Sequence, residues 1–321
     1  MRCLITGVTG FVGRHLAAAL RAEGHDVFGT DRSAPTDAGA LPVDTARFAV
    51  ATLDDVARLT AVVHDVQPTV LFHLAAFTSP AASFDDPAEV YRTNLHGSLH
   101  VFAAVRSAVP ACRVVWIGSS DAYGLVRAEE LPVGEQQLFR PLSPYAVSKA
   151  AADLAAFQWS RAYRLDVVRL RPFNHTGPGQ AAHFVCADFA RQVVAVERRL
   201  QPPRIAVGNL DVARDFSDVR DVVRAYIAAW HRGEPGEAYN VCSGVARTPG
   251  DIVHELLRLS GVTASVEPDP ARQRPVDVPR LVGSAAKLHA ATGWAPQIAW
   301  TQTLRDVLDD WRQRLAEPGD P

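Results

Sequence analysis

Tyr145 and Lys149 stand four residues apart in Pro144-Tyr145-Ala146-Val147-Ser148-Lys149. On a helix that spacing puts both side chains on one face. An ammonium beside a phenol favours the phenolate, so the pair is expected to lower the Tyr145 pKa and let the phenol exchange a proton with a hydroxyl or carbonyl near neutral pH. By itself the spacing is common by chance and favours a surface pairing. Ser119 shifts the balance. It follows the apolar run Val114-Val115-Trp116-Ile117-Gly118, which reads as a buried strand. A hydroxyl at the carboxyl end of such a strand lies where open α/β sheets bind ligands, in reach of the same substrate oxygen as Tyr145.

A second constellation opens the chain. Thr6-Gly7-Val8-Thr9-Gly10-Phe11-Val12-Gly13 follows an apolar run and starts an Ala-rich one. In a strand–turn–helix setting, Gly7 allows the tight turn, Gly10 lets a pyrophosphate approach the backbone, and Gly13 brings helix and sheet together. The helix N-terminus offers free N–H groups and a positive dipole end to phosphates. Asp31 lies 24 residues after Gly7, at the end of the second predicted strand. A carboxylate there accepts from ribose hydroxyls and repels a 2′-phosphate, favouring NAD. Arg32, next to it, suits the 2′-phosphate of NADP, so both cofactors stay open with NAD slightly favoured.

These residues need a scaffold. Strands are predicted at Arg2–Thr6, Asp26–Thr30, Val70–Leu74, Arg113–Gly118 and Asp166–Leu170, with helices at Val12–Glu23, Leu53–Asp65, Pro87–Ala108 and Pro144–Tyr163. Strands that are apolar on both faces, alternating with helices, imply a doubly wound parallel α/β sheet of the Rossmann type. Residues 1–172 are read as the dinucleotide-binding domain. Residues 173–321 are read mainly as a smaller α/β substrate domain, with some segments returning to the sheet. There, helices are expected at Ala181–Arg199, Val219–His231, Thr248–Leu259 and Thr301–Arg314, and Glu267–Pro279, with four prolines, reads as a loop.

Composition narrows the classes. The 321 residues are 48% hydrophobic and 21% charged, with 33 Lys+Arg against 35 Asp+Glu, so nothing marks a nucleic-acid or membrane-surface partner. No run of 18 apolar residues suggests a membrane span, and the glycine-broken N-terminus does not read as a signal peptide. Cys3, Cys112, Cys186 and Cys242 form no CxxC pair, which fits reduced thiols in a cytoplasmic protein. His175, His183 and Glu197 lack metal-ligand spacing, so no metal is expected.

Taken together, the motifs resemble the extended short-chain dehydrogenases/reductases, the NAD-dependent epimerase/dehydratase family that acts on nucleotide sugars. The resemblance rests on residues 6–13, His73-Leu74-Ala75-Ala76, Asn94, Ser119-Ser120-Asp121-Ala122-Tyr123-Gly124, residues 143–149, Arg171-Pro172-Phe173-Asn174, Arg214-Asp215-Phe216 and Gly293-Trp294-Ala295-Pro296. It implies that Ser119, Tyr145 and Lys149 are catalytic, with Lys149 also gripping the nicotinamide ribose. Leu74, Ala75, Ala76 and Pro172 would join Gly7, Gly10, Phe11, Val12 and Gly13 around the cofactor, and Asn94 would order water or backbone beside it. Asn174-His175-Thr176-Gly177-Pro178-Gly179-Gln180, Phe184-Val185 and Arg214-Asp215-Phe216-Ser217-Asp218-Val219 look like the branch of GDP-mannose 4,6-dehydratases and GDP-4-keto-6-deoxymannose reductases.

For that branch the resemblance implies a GDP-linked sugar held by Ser120, Asp121, Asn174, the backbone at Val185, and Arg214 and Arg274 on the diphosphate. Dehydratases carry Glu where this chain has Asp121; a shorter acid there favours a reductase making a GDP-rhamnose type product. A dehydratase or a nucleotide-sugar epimerase is the alternative, and a non-catalytic NAD(P) sensor is an alternative of another class. Ala49-Val50 stand where the family often has an acid for adenine. The apolar stripes at Val90–Val105 and Ala150–Ala162 match the family's homodimer helices, or equally an internal core.

Overall fold

The computed structural model describes residues 1–35, 41–272 and 278–316. The central sheet begins with β1 (Arg2–Thr6), β2 (Asp26–Asp31), β3 (Phe48–Val50), β4 (Val70–His73), β5 (Arg113–Ile117) and β6 (Val167–Pro172). Three short strands intervene, β7 (Asn174–Thr176), β8 (Arg204–Val207) and β9 (Ala213–Asp218), before β10 (Ala238–Val241) completes it. Across the sheet the order is β3-β2-β1-β4-β5-β6-β10, and every neighbouring pair is parallel. The order reverses direction between β1 and β4, the switch point outside whose carboxyl ends doubly wound sheets bind ligands.

The helices are α1 (Phe11–Ala22), α2 (Val56–Val66), α3 (Pro87–Tyr91), α4 (Gly97–Ala108), α5 (Pro144–Tyr163), α6 (Val185–Glu197), α7 (Val219–Arg232), α8 (Pro249–Ser260), α9 (Ala286–Thr292) and α10 (Trp300–Arg314). Successive strand residues point to opposite faces, and both faces are covered. Ile5, Phe72 and Val115 pack under Leu16 and Leu20 of α1 and Val222, Tyr226 and Trp230 of α7. Leu4, Leu71, Val114 and Trp116 pack under Leu59 and Val62 of α2, Val101 and Phe102 of α4, and Ala152 and Ala156 of α5. That double burial is why the strands read as near-continuous apolar runs.

Beyond β6 the chain builds a smaller layer. β9 pairs with β7, with β11 (Ala246–Arg247) and with β13 (Arg280–Leu281), while β12 (Ser265–Pro268) pairs with β8. Phe189 and Val193 of α6, Leu256 of α8, and Leu304 and Val307 of α10 enclose Ile205 of β8 in a core of their own.

Two expectations are corrected. The continuous helix expected over Pro87–Ala108 is interrupted: Arg92–His96 forms a π-helical turn between α3 and α4. Periodicity does not register one wide turn, because the apolar positions on either side keep helical spacing. Glu267 and Pro268, expected in a loop, end β12, where they pair in parallel with Ala206 and Val207. Proline fits there because β12 has one strand neighbour only. No helix among the described residues is long and apolar enough to cross a membrane.

Candidate active site

The glycine turn sits at the switch point. Gly7 adopts φ +73°, and a Cβ added to it would lie 2.8 Å from the Ala75 nitrogen; one on Gly13 would lie 2.3 Å from the Gly7 carbonyl oxygen. Side chains are thus excluded where the turn meets the Leu74–Ala75 backbone leaving β4 and where α1 packs on the turn. Gly10, extended at φ −69° and ψ 170°, caps α1 with no side-chain hydrogen bond, so first-turn N–H groups are open to an anion. Val12 packs on the sheet core. The Phe11 ring stacks on His175, at 6.2 Å and 5°, and meets His15 edge-on. The Asp31 carboxylate, at the end of β2, accepts from the Thr9 hydroxyl at 2.6 Å and from the Arg32 backbone at 2.8 Å. It thereby ties the turn to the neighbouring strand, a use that sequence spacing did not show. A glycine cradle that a Cβ would fill, an uncapped helix start and a strand-end carboxylate fit a dinucleotide. Leu74 and Ala75 are held by Thr6, through its carbonyl and its hydroxyl, and Ala76 continues that segment.

α5 is positioned at both ends of the relevant stretch. Ser143 accepts from the Ala146 N–H at 3.1 Å and Pro144 takes the first turn, where its missing N–H costs nothing. Further along, buried Asp153 is gripped by Arg169 and Arg171 of β6, which locks the helix to the sheet. Tyr145 and Lys149, both buried, therefore project from a fixed frame. The Lys149 ammonium donates to the Ile117 carbonyl at 2.9 Å and lies 5.6 Å from the Trp116 ring centre. Burial brings its pKa down to about 8.

The expected lowering of the Tyr145 pKa is overturned. Burial pushes the phenol well above its ordinary value, the Asp121 charge pushes the same way, and the Ser119 hydroxyl opposes them by hydrogen bonding. Lys149 is turned toward the Ile117 carbonyl, so desolvation dominates. The corner thus holds a phenol that keeps its proton at neutral pH. Ser119 also accepts from the Asp121 N–H, starting the short 3₁₀ turn Ser120–Tyr123. That turn carries Asp121 beside Tyr145 and buries Ser120.

Asn94 lies in the π turn, a kind of helix defect often found at functional sites. It accepts from the Phe77 N–H at 2.7 Å and donates to the Phe77 carbonyl at 3.1 Å and to Ser148 Oγ at 2.9 Å. Ser148 in turn donates to the Tyr145 carbonyl, so Asn94 couples the segment after β4 to α5. A buried network behind it was not foreseen. Ser98 donates to the Asn94 carbonyl at 2.6 Å and accepts from Trp116 Nε1. Its single proton being used, the contact with His73 Nε2 at 3.3 Å requires the histidine to donate, and Nδ1 then accepts from the Thr6 hydroxyl at 2.8 Å. Burial and the Lys149 charge pull the His73 pKa down to about 3, so the ring is neutral as this network demands.

The remaining candidates come from separate elements. Pro172 ends β6, Asn174 starts β7, Val185 starts α6 and Arg214 lies on β9. Asn174 is paired in register with Phe216, two residues from Arg214. Arg274 lies outside the described residues. Arg171 is structural: it binds Asp153, the Tyr123 hydroxyl and the Glu135 carbonyl. Asp215 is likewise spent, accepting from Ser243, Gly244 and Gly283. Of the histidines and acid set aside as metal ligands, His183 lies against Phe184 and Glu197 is paired with Arg312. Glu23, His25 and His231 do converge, but beside the start of β2, at the opposite end of the strands from the glycine turn.

A seven-stranded parallel sheet with a glycine turn at its switch point and, at the end of β5, half-buried Ser119 beside buried Tyr145 and Lys149 defines an extended short-chain dehydrogenase/reductase. The family model described as GDP-mannose 4,6 dehydratase matches residues 4–307, and the chain belongs to that family. It is 38% identical to a GDP-6-deoxy-D-mannose reductase of Pseudomonas aeruginosa over 98% of this chain and 99% of that protein. It is 27% identical to a GDP-mannose 4,6-dehydratase of Vibrio cholerae over 96% and 92%. Among solved structures it superposes on RMD from Pseudomonas aeruginosa complexed with NADPH, with TM-score 0.86 and 36% identity over 98% and 99% of the two chains. It also superposes on a Thermus thermophilus UDP-glucose 4-epimerase complexed with NAD, with TM-score 0.86 and 31% identity over 97% and 99%. The chain is an enzyme of the nicotinamide-dependent, nucleotide-sugar class.

Proposed function

We propose that this enzyme reduces the 4-keto group of a GDP-linked 4-keto-6-deoxyhexose, converting GDP-4-keto-6-deoxymannose to a GDP-rhamnose type product. The observation that carries this reading is the protonated, buried Tyr145 with Ser119 beside it. Reduction of a carbonyl asks the protein for one proton and a place to hold the oxygen, and this corner provides both. The end-to-end similarity to a reductase, at 38% identity, supports it.

Bound NAD(P)H supplies the hydride. The chain's own residues do the rest. Tyr145 gives its proton to the carbonyl oxygen as that oxygen gains charge, and Ser119 hydrogen-bonds the same oxygen. Lys149 provides a buried positive charge beside the corner, and Asn94 keeps the Tyr145 helix in register with the segment after β4. Residues 1–172 serve mainly the dinucleotide, through Gly7, Gly10, Phe11, Val12, Gly13, Asp31, Arg32, Leu74, Ala75, Ala76 and Pro172. Residues 173–321 serve mainly the sugar nucleotide, through Asn174, the Val185 backbone, Arg214 and Arg274, with Ser120 and Asp121 at the hexose. The enzyme works in the cytoplasm, where its four free cysteines, all buried, stay reduced. It works as a homodimer joined through α5, whose Val147, Leu154 and Phe157 are exposed on one face.

The deciding experiment offers the enzyme GDP-4-keto-6-deoxymannose with NADH or NADPH, and GDP-mannose separately. Stoichiometric oxidation of the reduced cofactor in the first is the expected result. Keto-sugar formation from GDP-mannose without net cofactor consumption makes it a dehydratase instead, and cofactor binding with no turnover of either sugar makes it a sensor.

A further inference from the structure

We infer that Arg247 is a further diphosphate-binding arginine besides Arg214 and Arg274, working across the strand pair from Arg214; the inference rests on the proposed sugar-nucleotide reading. In the antiparallel pairing of β9 and β11, Arg247 stands directly opposite Arg214. Directly opposed residues share a sheet face, and like charges so placed destabilise the pair unless something of opposite sign lies between or beside them.

Among the described residues no carboxylate forms an ion pair with Arg247, and Asp215 and Asp251 act on it only at longer range. The guanidinium is nevertheless partly buried, and burial pulls its pKa down. The two nearest acids are occupied. Asp215 accepts from Ser243, Gly244 and Gly283, and Asp251 closes the cap of α8 through the Thr248 N–H. What holds Arg247 is neutral. Its Nη1 donates to the Phe216 carbonyl at 3.0 Å, to Ser243 Oγ at 3.3 Å and to the Val245 carbonyl at 3.3 Å, and its guanidinium lies 4.6 Å from the centre of the Trp300 ring. The charge is oriented at one nitrogen and meets Asp215 and Asp251 only at longer range, with the other nitrogens free of described partners.

Its position matches an anion on the substrate. Ser243 and Gly244 leave the carboxyl end of β10, so Arg247 is anchored at the ligand-binding edge of the sheet. Phe216, which accepts from it, is the register partner of Asn174. The Cys186 thiol in the first turn of α6 also feels the Arg247 charge, and that helix, 13 residues long, has Phe184 at its N-cap with no side-chain cap bond. Two opposed arginines beside an open helix start suit the two phosphates of a nucleoside diphosphate.

Arg247→Met keeps the apolar stem over Trp300 and removes the charge; Arg247→Lys keeps a charge. Calorimetry on the full-length protein measures the affinity of each for GDP, UDP, inorganic pyrophosphate and NADPH, with Tm as the fold control. The expected result is a rise in Kd of roughly 10- to 100-fold for GDP and for UDP alike in Arg247→Met, the size of a lost charge-assisted contact. Partial recovery in Arg247→Lys, with NADPH affinity and Tm unchanged, completes that result. An unchanged Kd for all three diphosphates in folded Arg247→Met overturns the inference, as does weakening of NADPH binding and Tm in parallel, which marks a structural residue. If the wild type binds UDP or pyrophosphate through Arg247 but not GDP, the GDP-sugar reading fails and the arginine pair stands. If it binds none of the three, both fail.

Discussion

The glycine turn proposed to hold the dinucleotide lies within eight positions, Thr6 to Gly13, whereas the residues proposed for the sugar nucleotide, Asn174, Arg214 and Arg247, arrive from β7, β9 and β11. In the first region the work is done by backbone. Gly7 must adopt positive φ against the Ala75 nitrogen, and Gly13 must let α1 close on the turn, so the requirement is written as glycines at fixed spacing. In the second, side chains become neighbours through strand register, and Arg214 meets Arg247 across 33 positions of chain. Local steric demands leave a contiguous signature; a site assembled by pairing leaves isolated residues that look like ordinary surface charges.

Three perturbations test how far that contrast reaches. Tyr145 stands on the shared ground between the regions, and Tyr145→Phe is expected to have the largest effect. It should cost about 10²- to 10⁴-fold in kcat while NADPH affinity by fluorescence titration stays within a few-fold. Wild-type turnover by that variant removes the phenol from the chemistry. Gly7→Ala is expected next. The strained φ and the overlap with the Ala75 backbone should together cost about 1–3 kcal/mol, read as a lower Tm and at least a tenfold weaker Kd for NADPH; an unchanged Tm and Kd would show that backbone crowding does not define this side.

The smallest effect concerns Lys149, whose pKa burial brings down to about 8. Turnover should decline above about pH 8 as the ammonium is lost, measured as kcat against pH at saturating substrate. The sign for stability is opposite. An unfolded lysine titrates near 10.4, so between about pH 8 and 10.4 the unfolded chain binds more protons and this group's contribution to stability rises with pH. A kcat flat through pH 9.5 separates the ammonium from the reaction.

How much was legible follows the same physical division. The apolar runs of β1, β4 and β5 and the glycine turn were readable because each is a local pattern, and the placement of Ser119 after a strand and of Tyr145 and Lys149 on one helix was readable from a strand end and a helical spacing. β3 and β10 were not: Phe48–Val50 is three residues long, and Ala238–Val241 is separated from its partner β6 by three strands and two helices. The fate of the Tyr145 proton was misread because spacing reports neighbours and not solvent. Only the fold shows that the phenol is desolvated and that Lys149 turns to the Ile117 carbonyl. Arg247 escaped because nothing in Val245-Ala246-Arg247-Thr248 announces a strand, and its partner Arg214 drew notice through the Arg-Asp-Phe motif alone.

The wide turn at Arg92–His96 has a consequence for any shortened form of this chain. It stores one surplus residue between α3 and α4. Deleting a residue there would let the helix run on regularly with the downstream faces kept, because a wide turn absorbs its surplus residue locally. Val101, Phe102 and Val105 would keep the sheet face they now fill, and the loss would fall on Asn94 and its hydrogen bonds to Phe77 and Ser148. The extra residue is what allows one helix to present an asparagine toward Phe77 and Ser148 and an apolar stripe toward the sheet at the same time.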